Sequence, residues 1–225
     1  MKYLITLLLF IIGITYSHSQ SFQEIKKQAE QGDVIAQHNL GVLYSSGMGV
    51  VKNETEAIKW YEKAAAQGFA ESQNNLAVIY VSNNYRNYTE AAKWYKKAAE
   101  QGVATSQYNL GVLYAYGLGV TKDNAEAAKW YEKAAAQGHA QSQYNLGVLY
   151  AHGTGVAKNE VEAAKWYEKA AAQGIAESQY NLGILYLQGF GVNQNLIEAK
   201  KYFQQSCENN FQMACDAYKS IKNLK

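Results

Sequence analysis

Apolar residues return along this chain at helical spacing, stop, and start again. Ala36, Leu40, Leu43 and Tyr44 follow the i, i+3, i+4 rule of a helix with one buried stripe. A second stripe follows at Ala57, Trp60, Tyr61, Ala64 and Ala65, and Gly68 closes it, where glycine can adopt the left-handed conformation that ends a helix. The glycine-rich stretch Gly47-Met48-Gly49-Val50 separates the two. The pair then recurs. Its first helix carries a leucine at 40, 76, 110, 146 and 182. The aromatic pairs Trp60-Tyr61, Trp94-Tyr95, Trp130-Tyr131, Trp166-Tyr167 and Tyr202-Phe203 are spaced by 34, 36, 36 and 36 residues. A period of that length predicts a stack of two-helix units, each burying its stripe against its neighbours.

Punctuation between the stripes supports this reading. Asn53, Asn87, Asp123, Asn159 and Asn195 each stand seven residues before an aromatic pair, with Glu56, Glu90, Glu126, Glu162 and Glu198 three residues on. That spacing predicts a capping box, each side chain satisfying an orphan backbone N–H. Asn53 and Asn87 also sit in glycosylation sequons, and we read them as caps. Gly41, Gly111, Gly147 and Gly183 lie beside the first stripe, with Ala77 as the substitute. Glycine inside a helix costs about 1 kcal/mol against alanine, so its return predicts close approach of a neighbouring helix. The second unit's turn, Val81 to Arg86, is two residues shorter and lacks both glycines.

The expected organisation is residues 1–19 as a leader, then a solenoid over 20–225. Within it, 21–32 form a leading half-unit using Phe22, Ile25 and Ala29. Repeats follow at 33–68, 69–102, 103–138, 139–174 and 175–210. Residues 211–225 make a closing helix with Met213, Ala214 and Tyr218, in which Lys219 and Lys222 replace the repeat glycine and tyrosine. The leader reading rests on Lys2, the apolar run Leu4 to Ile14 and the small residues Ser17 and Ser19, the pattern of a cleaved secretory signal. An uncleaved anchor is the alternative. No cysteine follows the apolar run to carry a lipid, so no stable membrane insertion is expected after cleavage.

Composition narrows the function classes. Net charge is +2, from 21 basic and 19 acidic residues. No basic run is present, so nucleic acid is not an expected partner. Lys59, Glu62 and Lys63 exemplify the mixed charge of a solvated helix face. The four histidines, at 38, 18, 139 and 152, share no metal-ligand spacing, and the Gly-x-Gly turns join two helices, unlike a phosphate loop. No S-x-x-K, S-D-N or K-T-G motif of the serine enzymes acting on β-lactams occurs. No catalytic constellation and no cofactor is expected. Cys207 and Cys215 read as a disulfide in an exported chain, with two buried thiols as the alternative.

The pattern A-x-x-x-L-G-x-x-Y-x-x-G-x-G-V followed by A-x-x-W-x-x-x-A-A-x-x-G resembles the Sel1-like repeat, a relative of tetratricopeptide repeats. The resemblance implies an all-α fold, an α-solenoid winding as a right-handed superhelix of helix-turn-helix hairpins. It also implies adaptor work between proteins. The cysteine pair is similar in spacing to that of cysteine-rich secreted Sel1 proteins, which staple adjacent helices in this way. Some of those have been assigned penicillin binding or β-lactamase activity, which supplies the alternative function. In related superhelices the side of the first helix opposite the buried stripe lines the concave groove. Here that side predicts a partner-binding row at His38, Val42, Asn74, Tyr108, Val112, Tyr144, Val148, Tyr180 and Ile184, with another protein or peptide as the ligand. The alternative is that this row packs between successive first helices and belongs to the repeat itself. Asn39, Asn75, Asn109, Asn145 and Asn181 form a second ladder, expected to satisfy neighbouring helices. Taken together, these readings describe a bacterial protein exported to the periplasm or beyond.

Overall fold

The computed structural model describes residues 22–82 and 84–224; the expected leader, residues 1–19, lies outside them. Among the described residues the fold is all helical. It divides into two compact units at Gln101 and Gly102. The first holds α1 (residues 22–30), α2 (Val34–Ser46), α3 (Glu54–Ala66), α4 (Ala70–Val81) and α5 (Tyr88–Glu100). The second holds α6 (Ala104–Tyr116), α7 (Asn124–Ala136), α8 (Ala140–His152), α9 (Glu160–Ala172), α10 (Ala176–Gln188), α11 (Leu196–Glu208) and α12 (Gln212–Ile221). Consecutive helices pack as hairpins, and each hairpin packs on the next within its unit. This is the architecture of an α-solenoid repeat.

The caps form as the spacing requires, but only half of each box closes. Asn53, Asn87, Asp123, Asn159 and Asn195 all accept the N–H of the glutamate three residues on. The glutamates do not reach back. Each cap N–H instead donates to the tyrosine carbonyl near the end of the preceding helix, as in Asn53 to Tyr44 at 2.9 Å and Asn195 to Tyr186 at 2.8 Å. The freed glutamates turn to lysines one turn on, as Glu126 does to Lys129 at 2.9 Å. Exposed pairs of that kind add little. The cap is therefore also a tether that sets the hairpin's closing angle.

The repeat glycines let the hairpins close tightly. A Cβ at Gly41, Gly111, Gly147 or Gly183 would lie 2.6–2.8 Å from the ring of Tyr61, Tyr131, Tyr167 or Phe203. The turn glycines of two later repeats face backbone. A Cβ at Gly155 would stand 2.3 Å from the Asn124 carbonyl carbon, and one at Gly191 would stand 2.2 Å from the Glu160 carbonyl oxygen. Each of these turns thus rests on the first turn of the preceding repeat's second helix.

Between repeats runs a buried amide ladder that the apolar pattern did not announce. Gln37, Gln73, Gln143 and Gln179 are each about 5% exposed or less. They donate Nε2 to the carbonyls of Ala29, Ala65, Ala135 and Ala171 at 3.1–3.2 Å. Their Oε1 atoms accept from Gln67, Gln101, Gln173 and Asn209. The three glutamines in that second set also bond the carbonyls of Gly32, Gly68 and Gly138. The signal was present as a glutamine recurring beside each stripe, in Ala/Ser-Gln-x-Asn-Leu and Ala/Glu-Gln-Gly.

The last junction is built differently. Cys207 and Cys215 are joined by a disulfide. Counting the 36-residue repeat, Cys215 stands where Gln179 stands and Cys207 where Ala171 stands, so a covalent bond occupies the place of the glutamine–carbonyl hydrogen bond. The sequence separation, 8, is the same in both. In α12 the buried residues are Ala214 and Ile221, whereas Met213 is 58% exposed, contrary to its expected place in the core. The helix keeps the repeat's register: Ile221 stands where the buried Leu185 stands and packs against Ala199 and Phe203, and Met213 stands where the exposed Glu177 stands. Replacing both cysteines by serine should loosen α12 by about 2.5 kcal/mol in the loop-entropy account. Hydrogen exchange should quicken in α12 and stay unchanged in α6 to α9.

Candidate protein-binding face

The first helices α2, α4, α6, α8 and α10 hold two charged residues among them, Glu71 and Glu177. Their lysine-free character leaves a face of tyrosine, asparagine, valine and small residues, while the second helices carry most of the charge.

The nine predicted residues lie on first helices, three in the first unit and six in the second, but the structure does not leave them as an exposed ladder. Tyr108 lies against Tyr131 and His139, with ring centroids 5.9 and 4.7 Å away. Tyr144 lies against Tyr167 at 6.2 Å, and Tyr180 lies between Phe203 and Phe211 at 5.6 and 5.3 Å. Val112, Val148 and Ile184 pack on the cores of their hairpins. His38 is held between Tyr61 and Phe69, and its Nδ1 is 2.9 Å from the Ser72 hydroxyl. Asn74 donates to Asn75 at 3.4 Å. Each of these side chains is half-buried. A wheel drawn on one helix cannot reveal this, because the covering groups come from the second helix and from the residue that opens the next repeat.

The asparagine ladder serves the same joints. Asn145 lies beside the hydroxyls of Tyr108 and Tyr131, and Asn181 beside that of Tyr167. At the next junction the asparagine position is Ala217, and the tyrosine is Phe203. The asparagine and the phenol it accompanies are thus lost together. Burial raises the phenols of Tyr108, Tyr131, Tyr144 and Tyr167 above the ordinary tyrosine value, and takes Tyr95 to about 12. Burial also lowers His38, against a smaller opposing effect of Glu71, and lowers His139. These phenols therefore stay neutral near pH 7, and both imidazoles favour the neutral form there.

What remains open on this face is local. In the first unit a cavity of about 340 Å³ lies between α2 and α4, lined by Val42, Ser45, Tyr61, Asn75, Val78 and Ile79. Its walls are aliphatic. Its polar groups are the Asn75 amide and the Ser45 and Tyr61 hydroxyls, which lie 3.2 Å apart. Val78 is 48% exposed at the rim. In the second unit Tyr116, which ends α6, is 73% exposed. Sequence reasoning included Val42 but missed Tyr116, because its repeat equivalents are Ser46, His152 and Gln188. Among the described residues no group of His, Cys, Asp or Glu could hold a metal ion, and no helix is long and apolar enough to cross a membrane.

Comparison with known proteins agrees with this geometry. The chain matches the Sel1 repeat over residues 34–69, 70–103, 104–139, 140–175 and 176–211. No curated protein matches it. Among solved structures it is similar to a protective antigen of uropathogenic Escherichia coli displaying an SLR fold. The TM-score is 0.83 at 38% identity, over 88% of this chain and 43% of the antigen. It thus spans less than half the antigen's length. A Sel1 repeat protein from Oxalobacter formigenes gives a TM-score of 0.79 at 34% identity, over 89% of this chain and 84% of that one. YrrB, a TPR protein with an unusual peptide-binding site, shares the fold alone, with a TM-score of 0.55 at 21% identity over 90% and 97% of the two chains. Repeat folds of this class commonly mediate protein–protein interaction. With five matched repeats covering most of its length, this chain belongs to the Sel1 repeat family.

Proposed function

We propose that this protein is an exported scaffold that binds a partner protein or peptide along the uncharged face of its first helices. The observation that carries the reading is the cavity beside Val42 and Val78. It has apolar walls and a few converging hydrogen-bonding groups, the usual make-up of a recognition pocket. The half-buried row Tyr108, Tyr144 and Tyr180 supplies a firm floor in the second unit, and Tyr116 stands above it as an aromatic anchor of the kind that dominates interface energies. Export is supported by the leader-like pattern of residues 1–19 and by the disulfide, a bond that persists in oxidising compartments.

A photo-crosslinking residue at Val78 or at Tyr116, expressed in the cell, should trap one and the same partner. The same residue at Lys129, on the charged second helix α7, should trap none. Equal trapping from all three sites would overturn the assignment of the face. The mature mass should correspond to a start near Gln20, and the full-length mass would overturn cleavage. Nitrocefin turnover by the purified chain would favour the alternative, a β-lactam-directed enzyme.

A further inference from the structure

Two departures from the repeat meet in the first unit and release a third residue from its usual duty. In the second unit Asn145, on α8, lies beside the hydroxyls of Tyr108 and Tyr131. The equivalent residues in the first unit are Asn75, His38 and Tyr61. His38 is shorter than a tyrosine and holds its Nδ1 2.9 Å from the Ser72 hydroxyl, so no phenol reaches Asn75 from that position. Tyr61 keeps its hydroxyl but places it 3.2 Å from that of Ser45, where the later repeats have Ala115 and Ala151. Asn75 accepts from Asn74 at 3.4 Å, and its Nδ2 donates to no group among the described residues.

Asn75 faces the cavity of about 340 Å³ between α2 and α4, whose aliphatic walls are Val42, Val78 and Ile79. The other polar groups there are already engaged. The Ser45 hydroxyl donates to the Val42 carbonyl at 3.0 Å and lies beside the Tyr61 hydroxyl. The Asn75 amide is left as the donor open to an incoming group. None of the lining residues is charged, so a charged side chain entering here would lose its hydration and gain no counter-charge. Val78, half-exposed at the rim, keeps the mouth of the cavity open to solvent.

We propose that this cavity takes a branched aliphatic side chain of a peptide, with the Asn75 Nδ2 donating to the main-chain carbonyl of the same residue. Apolar walls gain from burying such a side chain, and the single open donor suits one carbonyl oxygen. The inference rests on the binding face proposed above and gives its partner a chemistry, a leucine, isoleucine or valine within an uncharged stretch. His38 is the residue that permits it, because a tyrosine there would carry its hydroxyl toward Asn75 and occupy the donor.

The test uses the full chain, isotope-labelled for amide and methyl NMR. It is titrated with N-acetyl-leucine N-methylamide and with the lysine and glycine counterparts. The leucine compound should shift the methyl signals of Val42, Val78 and Ile79 and the side-chain amide of Asn75. Its Kd should be on the order of 1 mM, as suits about a dozen non-hydrogen atoms. The lysine and glycine compounds should bind at least about tenfold more weakly. H38Y should weaken leucine binding about tenfold and N75A about fivefold. V78D, at the exposed rim and outside the packed interior, should weaken it as well without unfolding the unit. Shifts elsewhere, an equal response to lysine or glycine, or undiminished binding in the variants would overturn the proposal. If a crosslinker at Val78 traps a partner while the leucine compound leaves the cavity unmoved, the binding face stands and this assignment falls.

Discussion

A Gly191→Ala variant should lose about 4 kcal/mol of stability in the second unit, far more than any exposed turn substitution would cost. Two costs combine. Gly191 has φ of +69°, in the left-handed region where a Cβ is unfavourable by about 1–2 kcal/mol. The added carbon would also stand 2.2 Å from the Glu160 carbonyl oxygen. That oxygen is backbone in the first turn of a packed helix and cannot swing aside as a side chain could. Gly138→Ala is the matched control. Its φ is +88° and nothing lies within 4 Å of the added Cβ, so it should cost only about 1–2 kcal/mol. Urea unfolding of the two variants, followed by circular dichroism, separates the contributions. Equal losses would mean that the turn does not bear on α9.

Gln143→Ala should cost about 3 kcal/mol. The substitution removes the donor to Ala135 and the acceptor of Gln173 at 2.8 Å, and leaves a gap where a 5% exposed side chain stood. Each stranded buried polar group costs about 1–3 kcal/mol. Gln141→Ala, two residues earlier on α8, should stay within about 0.5 kcal/mol. A loss no larger than this at Gln143 would show that the amide ladder adds nothing net to stacking.

The hairpins were legible in the sequence because burial repeats with helical period and because capping residues have few other uses. The leucines at 40, 76, 110, 146 and 182 and the five caps locate every hairpin. Two things were hidden. A buried glutamine carries no apolar signal, so Gln37 and its equivalents read as the edge of a stripe until their partners were visible. The cover over Tyr108, Tyr144 and Tyr180 comes partly from His139 and Phe211, residues of the following repeat, and a pattern read one helix at a time assigns them to no one. The same limit explains Met213. It is apolar, but it occupies the position of Glu177, which faces outward in the repeat.

The exchange of a glutamine bond for a sulfur bond at the final junction changes what kind of event can open it. A hydrogen bond between Gln143 and Ala135 yields to thermal fluctuation, and local openings of that kind are reversible and need no reagent. Cys207 and Cys215 separate only when a thiolate attacks and electrons are delivered. The two kinds of joint therefore answer to different clocks. The interior ones keep time with temperature, and the last keeps time with the thiol chemistry of its surroundings. In an oxidising medium α12 stays attached however often its helical hydrogen bonds fray, and in a reducing one the same residues become an ordinary loose end.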